Sequence, residues 1–406
     1  MIQLNRALRA AVPIVLVLCT AAPGSAQESR EAEVAAKQAE KAKDLKPYVP
    51  SRAERIIADL RREAIERPSG PIPILDSPYR GGGFTLGAGY RQFFGDASFW
   101  DVRGAYSIKS YKLIEASTQA PLGDRARVGL RVGWLDAPQV AFYGLGIDSP
   151  REARANFRLS EAYAEGTVAY RPRRWIVLDG SVAYEDYSTE EGRGSSPSIE
   201  TEYTPITAPG LGASPAYLHA QGTAGIDWRR APAYARRGGF YGVTLHNYAE
   251  TGGTTLQGRA TALSFSRLDA DVVQHLPILR DTWVLSFHGR IETTLDDDDL
   301  VPYFLLPSLG SGRTLRAYKS WRFRDRHSIL GQAEFRWIPN RLGMDMALFY
   351  DAGKVTSRRE DLDFDGLKSD WGLGVRFHLP AYTFLRLEAA RGSEGWKLVF
   401  ASSAAF

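Results

Sequence analysis

Arg316 is the residue in this chain best suited to directed electrostatic work. It stands in Leu315-Arg316-Ala317-Tyr318 on a long loop, and two acid-bearing strands follow it. A guanidinium confined away from bulk water needs carboxylate partners, and bidentate pairing is its strongest option. Successive side chains of a strand point to opposite faces. Glu334 and Arg336 therefore share one face of their strand. Asp345 and Asp351 share one face of the next, opposite Met344, Met346 and Leu348. This lets Arg316 meet Glu334 and Asp351, with Arg336 beside them, and such contacts would pin the loop as a plug. An ordinary ion pair with no switching role is the plainer alternative. The same parity places Arg103, Lys109, Arg127, Arg131, Arg290, Glu292, Arg376, Arg386 and Glu388 on polar faces. They are either the usual charge of a hydrated lumen or a path for ions or substrate.

Other chemistries find little support. The six histidines show no metal-ligand spacing, and Ser, His and Asp are scattered without a nucleophile elbow. The chain reads as a non-enzyme with no cofactor and no metal. Asp361-x-Asp363-x-Asp365-Gly366 copies the start of a calcium loop, but its twelfth position is Gly372 where a bidentate Glu belongs. These acids, and the run at 296–299, read as solvated loop charge or as acid bridged by divalent ions to lipopolysaccharide. A net charge of +4, without a basic cluster interleaved with aromatics, gives no case for nucleic acid.

The elements that carry these residues fall into three parts. Arg6 and Arg9 precede an apolar run over residues 10–22, and Gly24-Ser25-Ala26 follows. That is the pattern of a signal peptide over residues 1–26. A membrane anchor would need roughly 20 apolar residues. A lipoprotein would use Cys19, the sole cysteine, but Leu18 before it is not small. Residues 27–70 then form a short helical N-terminal extension and linker. Ser51 and Glu54 make a capping box, and Ile56, Ile57, Leu60 and Ile65 follow at helical spacing. The helix over residues 51–66 is a tether, a self-plugging segment or the docking face for a periplasmic partner.

From residue 71 to 406 alternation takes over. In 283–292, Trp, Leu, Phe, Gly and Ile occupy odd positions, and Val, Ser, His, Arg and Glu the even ones. Trp100, Trp134, Trp175, Trp283, Trp337 and Trp396 are expected near strand ends on the oily face, as in an aromatic girdle at a membrane interface. Short turns at 171–174 and 339–342 and long loops at 188–214, 295–326 and 357–368 orient the strands. The predicted fold is an all-β antiparallel transmembrane barrel of about 16 strands, closed by an even number. The first strand is expected over 72–77. The last is expected over 396–406, with Trp396, Leu398, Phe400 and the terminal Phe406 on one outward face.

The segment 302–355 carries a family resemblance. Leu315-Arg316-Ala317-Tyr318, Arg322-Phe323-Arg324-Asp325, Glu334-Phe335-Arg336 and Phe349-Tyr350-Asp351-Ala352-Gly353 occur in order, after Phe142-Tyr143-Gly144-Leu145-Gly146. Together they resemble the bacterial surface antigen family, the BamA/TamA type of outer-membrane assembly and translocation barrel. The resemblance covers about residues 71–406. It implies an outer-membrane location in a Gram-negative bacterium, with the extension in the periplasm. It implies a weak seam between first and last strands, and a loop gate at Arg316. The terminal aromatics resemble the signal that such barrels present to their own assembly machinery. Insertion or transport of polypeptide, or of lipid, is the activity implied. Two departures stand out: Ala317 replaces a glycine, and residues 27–70 are too short for a periplasmic POTRA domain. A passive channel or a purely structural barrel is the alternative function.

Overall fold

The computed structural model describes residues 69–406 apart from 75–76, 96, 231, 257–258, 280–281, 297–299, 340–342, 380–381, 402–404 and 406. The signal peptide at 1–26, the helical extension, and Phe406 therefore lie outside the described residues.

Sixteen strands form one antiparallel sheet in chain order. They are β1 (Gly70–Ile74), β2 (Thr85–Phe94), β3 (Ser98–Ser107), β4 (Lys112–Leu122), β5 (Ala126–Phe142), β6 (Ala155–Tyr170), β7 (Ile176–Glu191) and β8 (Ala216–Asp227). Then come β9 (Gly238–Glu250), β10 (Phe265–Leu279), β11 (Trp283–Thr294), β12 (His327–Trp337), β13 (Met344–Thr356), β14 (Lys368–Leu379), β15 (Tyr382–Gly392) and β16 (Gly395–Ala401). Each pairs with its sequence neighbour, and among the described residues no ladder joins β1 to β16.

The face pattern explains the sheet. In β13, Met346, Leu348 and Tyr350 are 41, 58 and 51% exposed, whereas Asp345, Ala347, Phe349 and Asp351 are 0, 3, 5 and 0%. Apolar side chains point out and carboxylates point in, the reverse of a soluble sheet packed on an oily core. Removing one large apolar side chain from water contributes roughly 1.5–3 kcal/mol. An outer surface carrying Leu86, Val102, Ile114, Leu130, Val182, Leu218, Val243, Leu373, Leu398 and Phe400 is therefore stable against lipid and not against water. β5 has 17 residues, more than the roughly 9–11 that cross a bilayer, so it runs on past the membrane.

β1 spans Gly70–Ile74 and stops short of Ser77, while the described ladder of β16 ends at Ala401. Pro71 and Pro73 lie two residues apart in β1, so the same edge of the strand lacks two N–H donors. Proline is tolerated in a sheet at such an edge.

Two apolar clusters lie inside. The larger joins the outer ends of the strands to the long loops, with Phe142, Phe157, Tyr187, Tyr217, Phe265, Tyr303, Phe304 and Trp321 at its centre. The smaller gathers Leu309, Leu315, Tyr318, Phe323, Leu330 and Phe349 around the loop between β11 and β12.

Candidate functional site: the Arg316 loop and its luminal partners

The loop at 295–326 returns on itself through a short ladder, Ser308–Leu309 against Phe323–Arg324. Gly310 makes the reversal with φ +99, and a Cβ there would sit 2.3 Å from the Lys319 carbonyl oxygen, so only glycine fits. The Thr314 hydroxyl accepts the Gly310 N–H at 3.0 Å, and the Ser311 hydroxyl accepts the Arg313 N–H at 3.1 Å. These bonds present the turn 311–318 to the wall built by β12 to β16.

Arg316 is fully buried there. Its Nε and Nη2 donate to the two carboxylate oxygens of Asp351, both at 2.7 Å. Its Nη1 donates to Glu334 at 2.7 Å and to Glu388 at 3.3 Å. The guanidinium also lies 3.6 Å from the centroid of the Phe349 ring. Arg376 donates to both oxygens of Glu334, at 2.6 and 2.8 Å, and to Glu388 at 2.8 Å. Arg386 donates to the Gly312 carbonyl at 2.5 Å. Three guanidiniums and three carboxylates thus interlock, and a fourth acid, Asp370, accepts the Ala317 N–H at 3.1 Å. Buried ion pairs recover their desolvation cost only with this density of hydrogen bonds.

Beyond the charges, Gln332 bridges the Thr314 carbonyl and Asp351, each at 2.9 Å. The Tyr318 hydroxyl donates to the Ser369 carbonyl at 3.2 Å, and Lys397 of β16 donates to the Tyr318 carbonyl. Ala317 shows no left-handed backbone; the non-glycine residue of this loop with positive φ is Trp321, at +65. The extra methyl of Ala317 packs instead on Gly392, where an added Cβ would come within 3.1 Å of it.

The structure places the sequence-derived residues unevenly. Leu315, Arg316, Ala317 and Tyr318 lie together against Glu334, Asp351, Arg376, Arg386 and Glu388. Arg336 is a correction: it does not touch the turn. Two residues further along β12, it pairs with Asp345 at 2.9 Å and donates to the Ala235 carbonyl at 2.8 Å. Two residues carry it roughly 6–7 Å along the strand from Glu334, where Asp345 is its carboxylate. Arg290 and Glu292 pair with each other at 3.0 Å, away from Arg316. Trp396, Leu398 and Phe400 are exposed on the outer face of β16. Asp370 was missed, although parity with outward Trp371 marks it as inward. It stands directly across the ladder from Asp351.

The outer part of the loop is held by the other loops. Arg322 donates to Glu394 and to Ser149, and the Gly146 N–H donates to the Arg324 carbonyl at 2.8 Å. Gly144 and Gly146 both take positive φ to reach it. Arg324 is buried beside the Trp321, Phe157 and Phe142 rings and donates to the Tyr303 carbonyl at 2.7 Å. Burial lowers its pKa to about 10. The acids at 361 and 363 pair with Arg358 and Lys354.

At the inner end, the turn between β8 and β9 enters the lumen. Tyr234 stacks on His378 with centroids 3.5 Å apart, and His378 meets Asp345 at 2.9 Å. With the Arg336 bond to Ala235, this turn touches strands four to six places further round the sheet.

No protein-family model and no curated protein matches the sequence. Solved structures do. BamA from Haemophilus ducreyi lacking POTRA domains 1–3 aligns with a TM-score of 0.57 at 14% identity, over 82% of this chain and 69% of that one. CdiB from Escherichia coli aligns with a TM-score of 0.54 at 12% identity, over 81 and 61%. CdiB from Acinetobacter baumannii gives 0.51 at 12%, over 78 and 55%. The chain spans less than two thirds of the length of either CdiB. At these identities the match concerns architecture: the chain has the fold of the BamA and CdiB barrels.

Proposed function

We propose that this protein is an outer-membrane barrel that inserts or passes polypeptide, or lipid, at the outer membrane, with the Arg316 loop as its plug. The observation that carries the reading is the burial of Arg316 against Asp351, Glu334 and Glu388. A loop whose only task is to cover a mouth does not need a fully desolvated, bidentate guanidinium. Removing Arg316 would leave Asp351 buried without a partner cation and Glu334 and Glu388 with fewer donors, at a cost of about 3–5 kcal/mol. The cluster is thus suited to hold one loop state firmly and to make release all-or-none. It also sits on β12 to β15, beside the last strand. Among the described residues no ladder joins β1 to β16, which supports a seam between them as the site of opening.

In this reading residues 1–26 direct export, and residues 27–70 lie in the periplasm as a tether or a partner-binding arm. The barrel's surroundings are lipid and lipopolysaccharide, and its outward C-terminal aromatics address the cell's own assembly machinery. Phe406 would be part of that address. Deleting the protein and taking an inventory of outer-membrane proteins and lipids tests the reading: loss of a defined set supports it. An unchanged inventory, with a steady ion-selective conductance from the purified barrel, would assign it instead to the passive channels.

A further inference from the structure

A chamber of about 290 Å³ lies between the inner surface of loop 295–326 and the wall of β10 to β12, outside the Arg316 cluster. That is far more than the roughly 10–15 Å³ a single water needs. Its polar lining includes Arg80, Arg267, Arg290, Glu292 and Ser308, and Trp321 closes one side. Three guanidiniums thus face it against one carboxylate.

The charges are not balanced alike. Arg267 donates to Asp269 at 3.0 Å, and Arg290 reaches Asp269 at 3.3 Å and Glu292 at 3.0 Å. Among the described residues Arg80 has no carboxylate within ion-pair distance. It is nonetheless held in place. Its Nη1 donates to the Ser308 hydroxyl at 3.0 Å, its guanidinium lies 4.4 Å from the Trp321 centroid, and its carbonyl accepts the Trp321 indole N–H at 2.8 Å. Arg324, likewise without a carboxylate among the described residues, lies 4.5 Å from the same ring centroid. Arg80 is solvent-accessible, so a cation fixed beside a roomy chamber keeps donors open to an incoming anion, and the guanidinium fork fits carboxylate and phosphate oxygens.

We propose that this chamber binds an oxyanion, a phosphate or carboxylate group, with Arg80 as its principal cation and Arg267 and Arg290 as auxiliary donors. Occupancy would fasten the plug. Ser308 and Trp321 belong to the loop, Arg80 to the connection between β1 and β2, and Arg267 and Arg290 to β10 and β11, so one anion ties three separate parts of the chain. The proposal does not depend on what the barrel transports.

The test uses the full barrel in detergent, with ionic strength held constant by chloride. Inorganic phosphate and acetate are titrated separately, while thermal unfolding and trypsin cleavage within 295–326 are followed. A saturable rise in Tm and slower cleavage are expected with at least one of them, phosphate or acetate identifying the preferred group. Arg80→Gln should weaken the effect by about tenfold or more, the loss of a charge-assisted hydrogen bond. Ser308→Ala should weaken it less, and Arg173→Gln, on an exposed turn, not at all. Heat-modifiable mobility on gels checks that each variant is folded. If Arg80→Gln fails to fold, Ser308→Ala decides alone. No saturable effect of either anion, or an effect equal in wild type and in the folded Arg80 and Ser308 variants, overturns the proposal.

Discussion

Loop 295–326 and the turn between β8 and β9 are held by unlike means. At the outer end, loop 295–326 is tied by an interlocked set of guanidiniums and carboxylates and packed under an aromatic cluster. At the inner end, the turn between β8 and β9 rests, among the described residues, on the Tyr234–His378 ring stack, the Arg336 guanidinium over the Tyr234 ring and the Arg336 bond to the Ala235 carbonyl. The ionic cluster is costly to open, because the loss of Arg316 leaves Asp351 charged and buried. A ring stack contributes roughly 0.5–1.5 kcal/mol beyond area burial and leaves nothing stranded when it opens. Under the proposed plug role, the contrast predicts an ordered release, with the turn between β8 and β9 moving readily and loop 295–326 moving as a unit.

The most direct way to break this comparison is Arg316→Ala. It strands Asp351 without a cation and leaves Glu334 and Glu388 to Arg376, and should cost about 3–5 kcal/mol. Trypsin should cut within 295–326 far faster, and single-channel conductance should rise. Unchanged cleavage and conductance would mean that the aromatic cluster alone holds the plug. Arg316→Lys sharpens the point. A lysine keeps the charge but cannot donate to both Asp351 oxygens in one plane, so about 1.5–3 kcal/mol should be lost. Full retention would show that charge, not fork geometry, does the holding.

Gly392→Ala tests the packing beneath the charges. The new methyl would meet the Ala317 methyl and the Tyr318 ring, each at about 3.1 Å, and overpacking of this kind costs typically 1–3 kcal/mol. The partner change Ala317→Gly should recover much of that loss in the double variant, and the coupling is read from denaturation midpoints. Additive effects would place the two residues out of contact.

What the sequence revealed follows from the range of the interaction. Strand alternation is local, so the inward faces of β12, β13 and β15 could be read directly, and with them Glu334, Asp351 and Glu388. The position of Arg316 needed only one further step, because its loop runs straight into β12. Arg336 was misjudged because parity gives the face and not the depth: it shares a face with Glu334 but lies nearer the inner end. Ala317 stands where the resembled family has a glycine, which would permit a left-handed backbone. Instead the left-handed residue is Trp321, and the space for the methyl comes from Gly392, far away in sequence and adjacent only once the barrel has formed. The inner turn was invisible for the same reason. Nothing in the sequence around Tyr234 indicates that barrel curvature carries it to His378.

Tyr234→Ala should have the smallest effect and separates the two closures most cleanly. It removes the stack on His378 and leaves the Arg336–Asp345 pair in place. The expected loss is roughly 0.5–1.5 kcal/mol, confined to the inner end. A reporter can be placed at Ser286, which is buried on the inward face of β11 and bonded to His275 at 2.8 Å. In a Ser286→Cys background, alkylation by iodoacetamide should speed up severalfold when Tyr234 is truncated, while cleavage within 295–326 stays at the wild-type rate. Arg316→Ala should do the opposite. If either substitution moves both readouts together, the lumen opens as one cooperative unit and the distinction between a loose inner turn and a tight outer plug fails.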